Sequence, residues 1–304
     1  MNKVLIALQG PINKKTLSCA RTFLKLNFQI VMISWPVKEF INYESKDLKI
    51  DFIDDPGTIN DGFYGVNVLR QIVSNRYILD TYEKNYDYII RLRNDIELTD
   101  SKQFKRKFNL AIKKDKIWTI NINTTSPRLL NPGSLPYHIS DWFFGGEPAK
   151  LREFLQLENI DELKLIANKE RIFKNLIYRR KAQNEQAIWN MAWDRNSYSK
   201  KPQLLINDPW ANSSRSNLLK YASFLSDNFF ITPFRLSGLQ SIKYKVNIKR
   251  WYRSPYSLFI LNNLEIYLIN NNLNYLLIYY PPVLRYFLFK MIMIINKGKP
   301  ISMR

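Results

Sequence analysis

A chain of 304 residues, 46% of them hydrophobic and 24% charged, has the composition of a globular protein with a substantial core, which excludes a disordered chain. The 46 Lys and Arg against 26 Asp and Glu give a formal charge of +20, which does not choose a fold but attracts phosphates, nucleic acid, anionic lipid or an acidic substrate. Cys19 is the only cysteine, so an intrachain disulfide and a disulfide-stapled secreted domain are excluded, and a reducing compartment, the cytoplasm, is expected.

Residues 3–8, KVLIAL, form a short apolar run stopped by Gln9, Gly10 and Pro11. That is too short for a signal-peptide core and suits a buried parallel strand. From Thr16 to Leu26 the apolar positions Leu17, Ala20, Phe23 and Leu24 recur at helical spacing. FQIVMISW (28–35) is again a buried strand, ended by Pro36, and KIDFIDD (49–55) alternates before Pro56 and Gly57. VNVLRQIVSNRYILDTYEK then has a helical period, and YDYIIRLR (86–93) returns to strand. This order predicts an α/β domain with a mostly parallel sheet. Ligands of such sheets bind beyond the carboxyl ends of the strands, which gathers Gln9 to Pro11, Trp35, Asp54 to Gly57 and Arg91 to Asp95 around one crevice.

KIWTININ (116–123) adds a strand, and HISDWFFGG opens a second half with helical material through residues 147–193. There is no repeat of fixed period and no low-complexity linker. The end of the chain differs in composition: from Leu236 to Arg304 ten Lys and Arg accompany a single acid, Glu265, among many Tyr, Phe, Ile and Leu. Asn clusters and Pro281-Pro282 cut its apolar runs well below the roughly 20 residues of a spanning helix. Residues 283–297 suit a short helix with Arg285, Lys290 and Lys297 at its polar margin, either lying on an anionic membrane or packed on the domain's own core. The division expected is a domain over 1–245 and a basic, aromatic, membrane-associating extension over 246–304.

Three clusters offer chemistry. Alternation along YIIRLRND places Arg91, Arg93 and Asp95 on one face, where guanidinium groups can clamp a diphosphate and Asp95 can hold one ligand position on Mn or Mg. The same pattern also describes loop charges paired with one another. In PYHISDWFFGG, Asp141 interrupts an apolar run just before Gly145 and Gly146; a buried acid is costly unless paired or functional, and paired glycines admit a ligand close to the backbone. His138 is the only histidine, so a multi-histidine zinc site is excluded. In KAQNEQAIW, Glu185 stands at the start of a helical run, as a general base or as an acid favoured by the helix dipole. There is no GxxxxGK[ST], no GxGxxG and no CxxC, so P-loop, Rossmann dinucleotide and zinc-finger readings have no support.

ALQGPI, VMISW, NVLRQIVSN, YIIRLRND, YHISDWFFGG and NEQAIW, in this order, resemble the WavE family of lipopolysaccharide-synthesis proteins, which look like bacterial glycosyltransferases of the GT-A fold. The resemblance covers residues 3–245. It implies that Gln9, Gly10 and Pro11 shape a nucleotide pocket, and that Arg93-Asn94-Asp95 occupies the place of the DxD element with arginine in the first acidic position, which puts metal dependence in doubt. It further implies that His138, Ser140, Asp141, Gly145 and Gly146 line the sugar and acceptor side, and that Glu185 or Asp141 is the catalytic base. The expected protein is a nucleotide-sugar-dependent transferase acting on a lipopolysaccharide core or related glycan, peripheral on the inner face of the cytoplasmic membrane, with no specific nucleic-acid partner. A nucleic-acid-binding protein and a non-catalytic membrane-surface scaffold are the alternatives.

Overall fold

Seven described strands make the central sheet, in the spatial order Lys49–Phe52 (β3), Gln29–Ser34 (β2), Val4–Gln9 (β1), Tyr88–Arg93 (β4), Phe143–Gly146 (β7), Ile117–Ile120 (β6) and Phe229–Thr232 (β8). In this computed structural model every strand runs parallel to its neighbours except β7, which is antiparallel to both β4 and β6. The structure describes residues 3–40, 43, 47–57, 68–122, 124, 139–155, 215–243 and 263–273. Six described helices accompany the sheet: Lys14–Thr22 (α1), Val68–Tyr82 (α2), Ser101–Lys114 (α3), Pro148–Phe154 (α4), Arg215–Asn228 (α5) and Asn263–Asn270 (α6). A small ribbon pairs Ile96–Leu98 (β5) with Leu239–Ser241 (β9). The expected α/β class with a mostly parallel sheet is thus the fold of the chain.

The near-continuous apolar runs have this form because both faces of the sheet are covered. Along β1, Leu5 and Ala7 point to the face carrying α2, while Val4, Ile6 and Leu8 point to the face carrying α1 and α3. On the latter face α3 buries Phe104, Phe108 and Ala111 at helical spacing. Phe104 meets Phe23, Trp118 and Phe143 with ring centroids 6.3, 5.1 and 6.5 Å away. Trp118 is fully buried, and its indole N–H donates to Thr232 Oγ1 at 2.9 Å, satisfying the one polar atom it carries inside.

The first helix begins before the periodicity suggests. Asn13 Oδ1 accepts from Lys15 N at 2.9 Å and Thr16 N at 3.0 Å, and Thr16 Oγ1 accepts from Asn13 N at 2.9 Å, a reciprocal capping box. The glycine pair Gly145 and Gly146 also differs from expectation. Both lie inside β7, and a Cβ on Gly145 would stand 3.0 Å from Tyr88 Cε1, while one on Gly146 would stand 3.3 Å from Leu151. Their small size admits packed core side chains there.

Helix α6 comes from the basic, aromatic extension and joins the core through Ile266 and Ile269. Its Asn270 side chain bonds the backbone of strand β8, accepting from Ile231 N at 2.9 Å and donating to Ile231 O at 2.8 Å. Among the described residues no helix is long and apolar enough to cross a membrane. The helical segment expected at 283–297, and most of that expected through 147–193, lie outside the described residues.

Because Phe104 links four elements in one aromatic cluster, Phe104→Ala is expected to lower stability by about 3–5 kcal/mol. Urea denaturation with an unchanged slope would measure it; a loss below about 1 kcal/mol, the range of surface substitutions, would contradict this packing.

Candidate active site

The chain runs outward from β1 through β2 to β3, then returns to place β4 on the other side of β1. At such a reversal the loops leaving two adjacent strands diverge and open a crevice at their carboxyl ends. A cavity of about 810 Å³ lies there, lined by Gln9, Gly10 and Pro11 after β1 and by Arg91, Arg93, Asn94 and Asp95 at the end of β4. Residues from the start of α1 (Asn13, Lys15, Thr16), Trp35 after β2, Arg70 and Gln71 of α2, Asp141 before β7, and Lys243 after β9 complete much of the wall.

Arg91 is only 2% exposed. It donates from Nη2 to Gln9 Oε1 and from Nη1 to the carbonyl oxygen of Asp141. Its guanidinium also lies 5.4 Å from the centroid of the Phe144 ring. Burial pulls its pKa down to about 10, and the Asp141 carboxylate opposes that pull, so the group remains a cation at neutral pH. Gln9 in turn donates from Nε2 to Arg70 O at 3.1 Å and Ser74 Oγ at 3.0 Å, joining β1 to α2. Asp141, 6% exposed, accepts from Gln71 Nε2 at 2.7 Å. Arg91 lines the cavity, and both of its terminal nitrogens hold the wall together.

The loop after β1 is fixed from β4. Asn94 donates from its backbone to Gln9 O at 3.0 Å and from Nδ2 to Pro11 O at 2.8 Å. Gly10 has a φ of 142°, and a Cβ there would stand 2.5 Å from Asn94 Oδ1. Only glycine fits both the backbone conformation and the side chain that crosses it.

Arg93 is the arginine in the first acidic position of the DxD-like element. It donates from Nε to Asp95 Oδ1 at 3.0 Å and from Nη2 to Oδ2 at 2.8 Å, a bidentate pair, and lies 4.9 Å from the Trp142 ring centroid. Both carboxylate oxygens of Asp95 are thus engaged by a cation, the reverse of what a divalent ion needs. Among the described residues no group of three or more His, Cys, Asp or Glu is placed to hold a metal. The donor set around Asp95 fits Mn or Mg poorly.

A second cationic group stands on the α2 side. The Arg70 guanidinium lies 4.6 Å from the Trp35 ring centroid and donates from Nε to Asp55 Oδ1 at 2.7 Å and from Nη2 to Oδ2. Sequence reasoning puts Trp35 and Asp55 in the crevice but misses Arg70 and Gln71, which it reads only as part of a helix. Their signal is position: both lie in the first turn of the described part of α2. Lys15 and Thr16 are equally readable from the Asn-x-x-Thr capping pattern after the first strand.

Ser140, expected on the acceptor side, is fully buried, its Oγ accepting from Trp142 N at 3.2 Å and its own N donating to Thr124 Oγ1 at 3.1 Å. Gly145 and Gly146 sit in β7 away from the cavity wall. His138 and Glu185 lie outside the described residues.

Arg70 holds the Asp55 carboxyl below its ordinary value of 3.8, first through the hydrogen bond and then through charge. A depressed acid stabilises the fold above its unfolded pKa and loses that contribution as pH falls through the folded one. The melting-temperature difference between wild type and Asp55→Asn should therefore be present at neutral pH and shrink as pH drops below 3.8. A difference that stays constant on acidification would show that the pair contributes nothing in solution.

No curated protein matches the chain. Among solved structures, the apo form of mouse xyloside xylosyltransferase 1 is similar at 11% identity and a TM-score of 0.34, over 77% of this chain and 85% of that one. A glycosyltransferase involved in the glycosylation of the major capsid of PBCV-1 is similar at 9% identity and a TM-score of 0.33, over 81% of this chain and 96% of that one. A family model described as WavE lipopolysaccharide synthesis matches residues 6–299, continuing through the extension that the motifs alone did not reach, and the chain belongs to that family.

Proposed function

We propose that the protein is a glycosyltransferase of the GT-A type that moves a sugar from a nucleotide-sugar donor to a lipopolysaccharide core or a related bacterial surface glycan. The observation that carries this reading is the cavity at the β1/β4 reversal, whose wall includes Lys15 of α1, Arg93 at the end of β4 and Lys243 after β9. Family membership supports the glycan side of the reading. In this reading the donor's diphosphate lies against the loop after β1, with Arg93 positioned to offset the negative charge that develops on the leaving group. An acceptor hydroxyl attacks the anomeric carbon as the bond from that carbon to the diphosphate oxygen breaks. The hydroxyl proton passes to a carboxylate, Asp141 or Glu185. Arg91 would act at one remove, keeping Gln9 and Asp141 in place. His138 would stand on the acceptor side, and the extension over 246–304 would hold the enzyme to the inner face of the cytoplasmic membrane.

Asp95→Ala is expected to abolish transfer by releasing Arg93 from its geometry, and Glu185→Gln to abolish it by removing a base, each with a cooperative melt like wild type. Retained activity in both would sink the site assignment. The donor class is read by thermal shift against UDP, GDP, CMP and their sugar conjugates, each with and without manganese. Binding to the native state raises the melting temperature by mass action, so one nucleotide is expected to do so. If none of them stabilises the protein, the crevice fails as the donor site, and the membrane-surface or nucleic-acid reading moves ahead.

A further inference from the structure

Helix α3 carries Lys102, Lys105, Arg106, Lys107, Lys113 and Lys114 and no acidic residue in its fourteen positions. Its buried stripe is Phe104, Phe108 and Ala111. At 100° per residue, Lys102, Lys105, Arg106, Asn109, Leu110 and Lys113 fall on the opposite side, and all of them are exposed. The nearest acids are engaged elsewhere: Asp100 caps the helix through Gln103 N at 2.9 Å, and Asp115 pairs with Lys150 at 2.6 Å. Like charges at i and i+3 or i+4, such as Lys102 with Lys105 and Arg106, destabilise a helix. A face that only needed to be soluble would alternate its signs.

We infer that this outward face of α3 is a docking surface for an anionic phospholipid bilayer. Three features favour a bilayer over another polyanion. The cations spread along about 18 Å of straight helix, a shape that rests on a plane. Leu110, 40% exposed, sits among them and offers apolar area to the headgroup boundary. Both aromatic residues of the helix point into the core, so the face has no ring on which a nucleic-acid base could stack. The position is also suited to work on a membrane. Glu97 of β5 lines the cavity, and α3 begins four residues later, so the basic helix starts near the cavity rim. The residues of this surface belong to α3 and not to the extension over 246–304, and the inference does not depend on the transferase reading.

The test is co-sedimentation of the full chain with vesicles of phosphatidylcholine alone and with phosphatidylglycerol added, comparing wild type with the variant Lys102→Gln, Lys105→Gln, Arg106→Gln, Lys113→Gln. Each basic residue near an anionic surface contributes enough that removing four should weaken binding to the mixed vesicles by about tenfold or more. The thermal shift with nucleotides should stay unchanged, because none of the four lines the cavity, and the melting temperature should not fall, because like-charge repulsion along the helix is relieved. Leu110→Ser should weaken binding further, and high salt should weaken wild type toward the variant. The inference is overturned if wild type ignores phosphatidylglycerol, or if the variant binds the mixed vesicles as wild type does. It is also overturned if the substitutions abolish binding to a generic oligonucleotide while vesicle binding persists, which would make the face a nucleic-acid surface.

Discussion

A buried arginine holds the two halves of the site together. Taking a guanidinium out of water costs several kcal/mol, and the return comes only if its donors and its charge are matched inside. The two terminal nitrogens of Arg91 reach oxygens from distant parts of the chain, Gln9 at the end of β1 and the carbonyl of Asp141 before β7, while its Nε is buried without a hydrogen-bond partner. Each of those residues is bonded to α2, Gln9 through Arg70 and Ser74 and Asp141 through Gln71. One cation thus fixes the relation between the first strand, the fourth, the antiparallel seventh and a covering helix. The crevice can be open and polar because the arginine beneath it keeps the loops from drifting apart.

Above that support the cavity carries charges in locked pairs. Arg93 is held by Asp95 and Arg70 by Asp55, each bidentate and each against a tryptophan ring. A paired guanidinium is restricted to one plane, so little side-chain entropy remains to be lost when an anionic ligand arrives. The partner carboxylate also tempers the field. Such a site discriminates by geometry more than by bulk positive charge, while the overall charge of +20 acts at longer range on encounter.

The sheet is largely legible in the sequence because its strands are short apolar runs with abrupt polar ends, and a strand buried on both faces has little other way to be written. YIIRLR reads as a strand with an anomaly at Arg91, and the anomaly is real. What the sequence cannot carry is the partner, since Gln9 is 82 residues away and Asp141 is 50. The alternation therefore gives a correct face and an incomplete role. For α1 the hydrophobic period marks the buried stripe, whereas the boundary is set by Asn13 and Thr16, which are polar and invisible to that period. Gly145 and Gly146 suggest backbone freedom, but their neighbours Tyr88, Ile90 and Leu151 fill the space, a packing reason that needs the sheet register to be seen. Asp141 is legible as a buried acid because a carboxylate set beside the apolar run WFF is tolerated there only when it is paired or put to use.

The contact between Asn270 and strand β8 has a consequence beyond packing. Among the described residues β8 is the last strand of the sheet, and an outermost strand presents free amides and carbonyls to any passing chain. The Asn270 carboxamide meets both the N–H and the C=O of Ile231, as one residue of an eighth strand would. It is a single-residue stopper that ends the ladder without continuing it. The aromatic extension thereby supplies a side chain that occupies one backbone position on this edge, where another strand would otherwise pair.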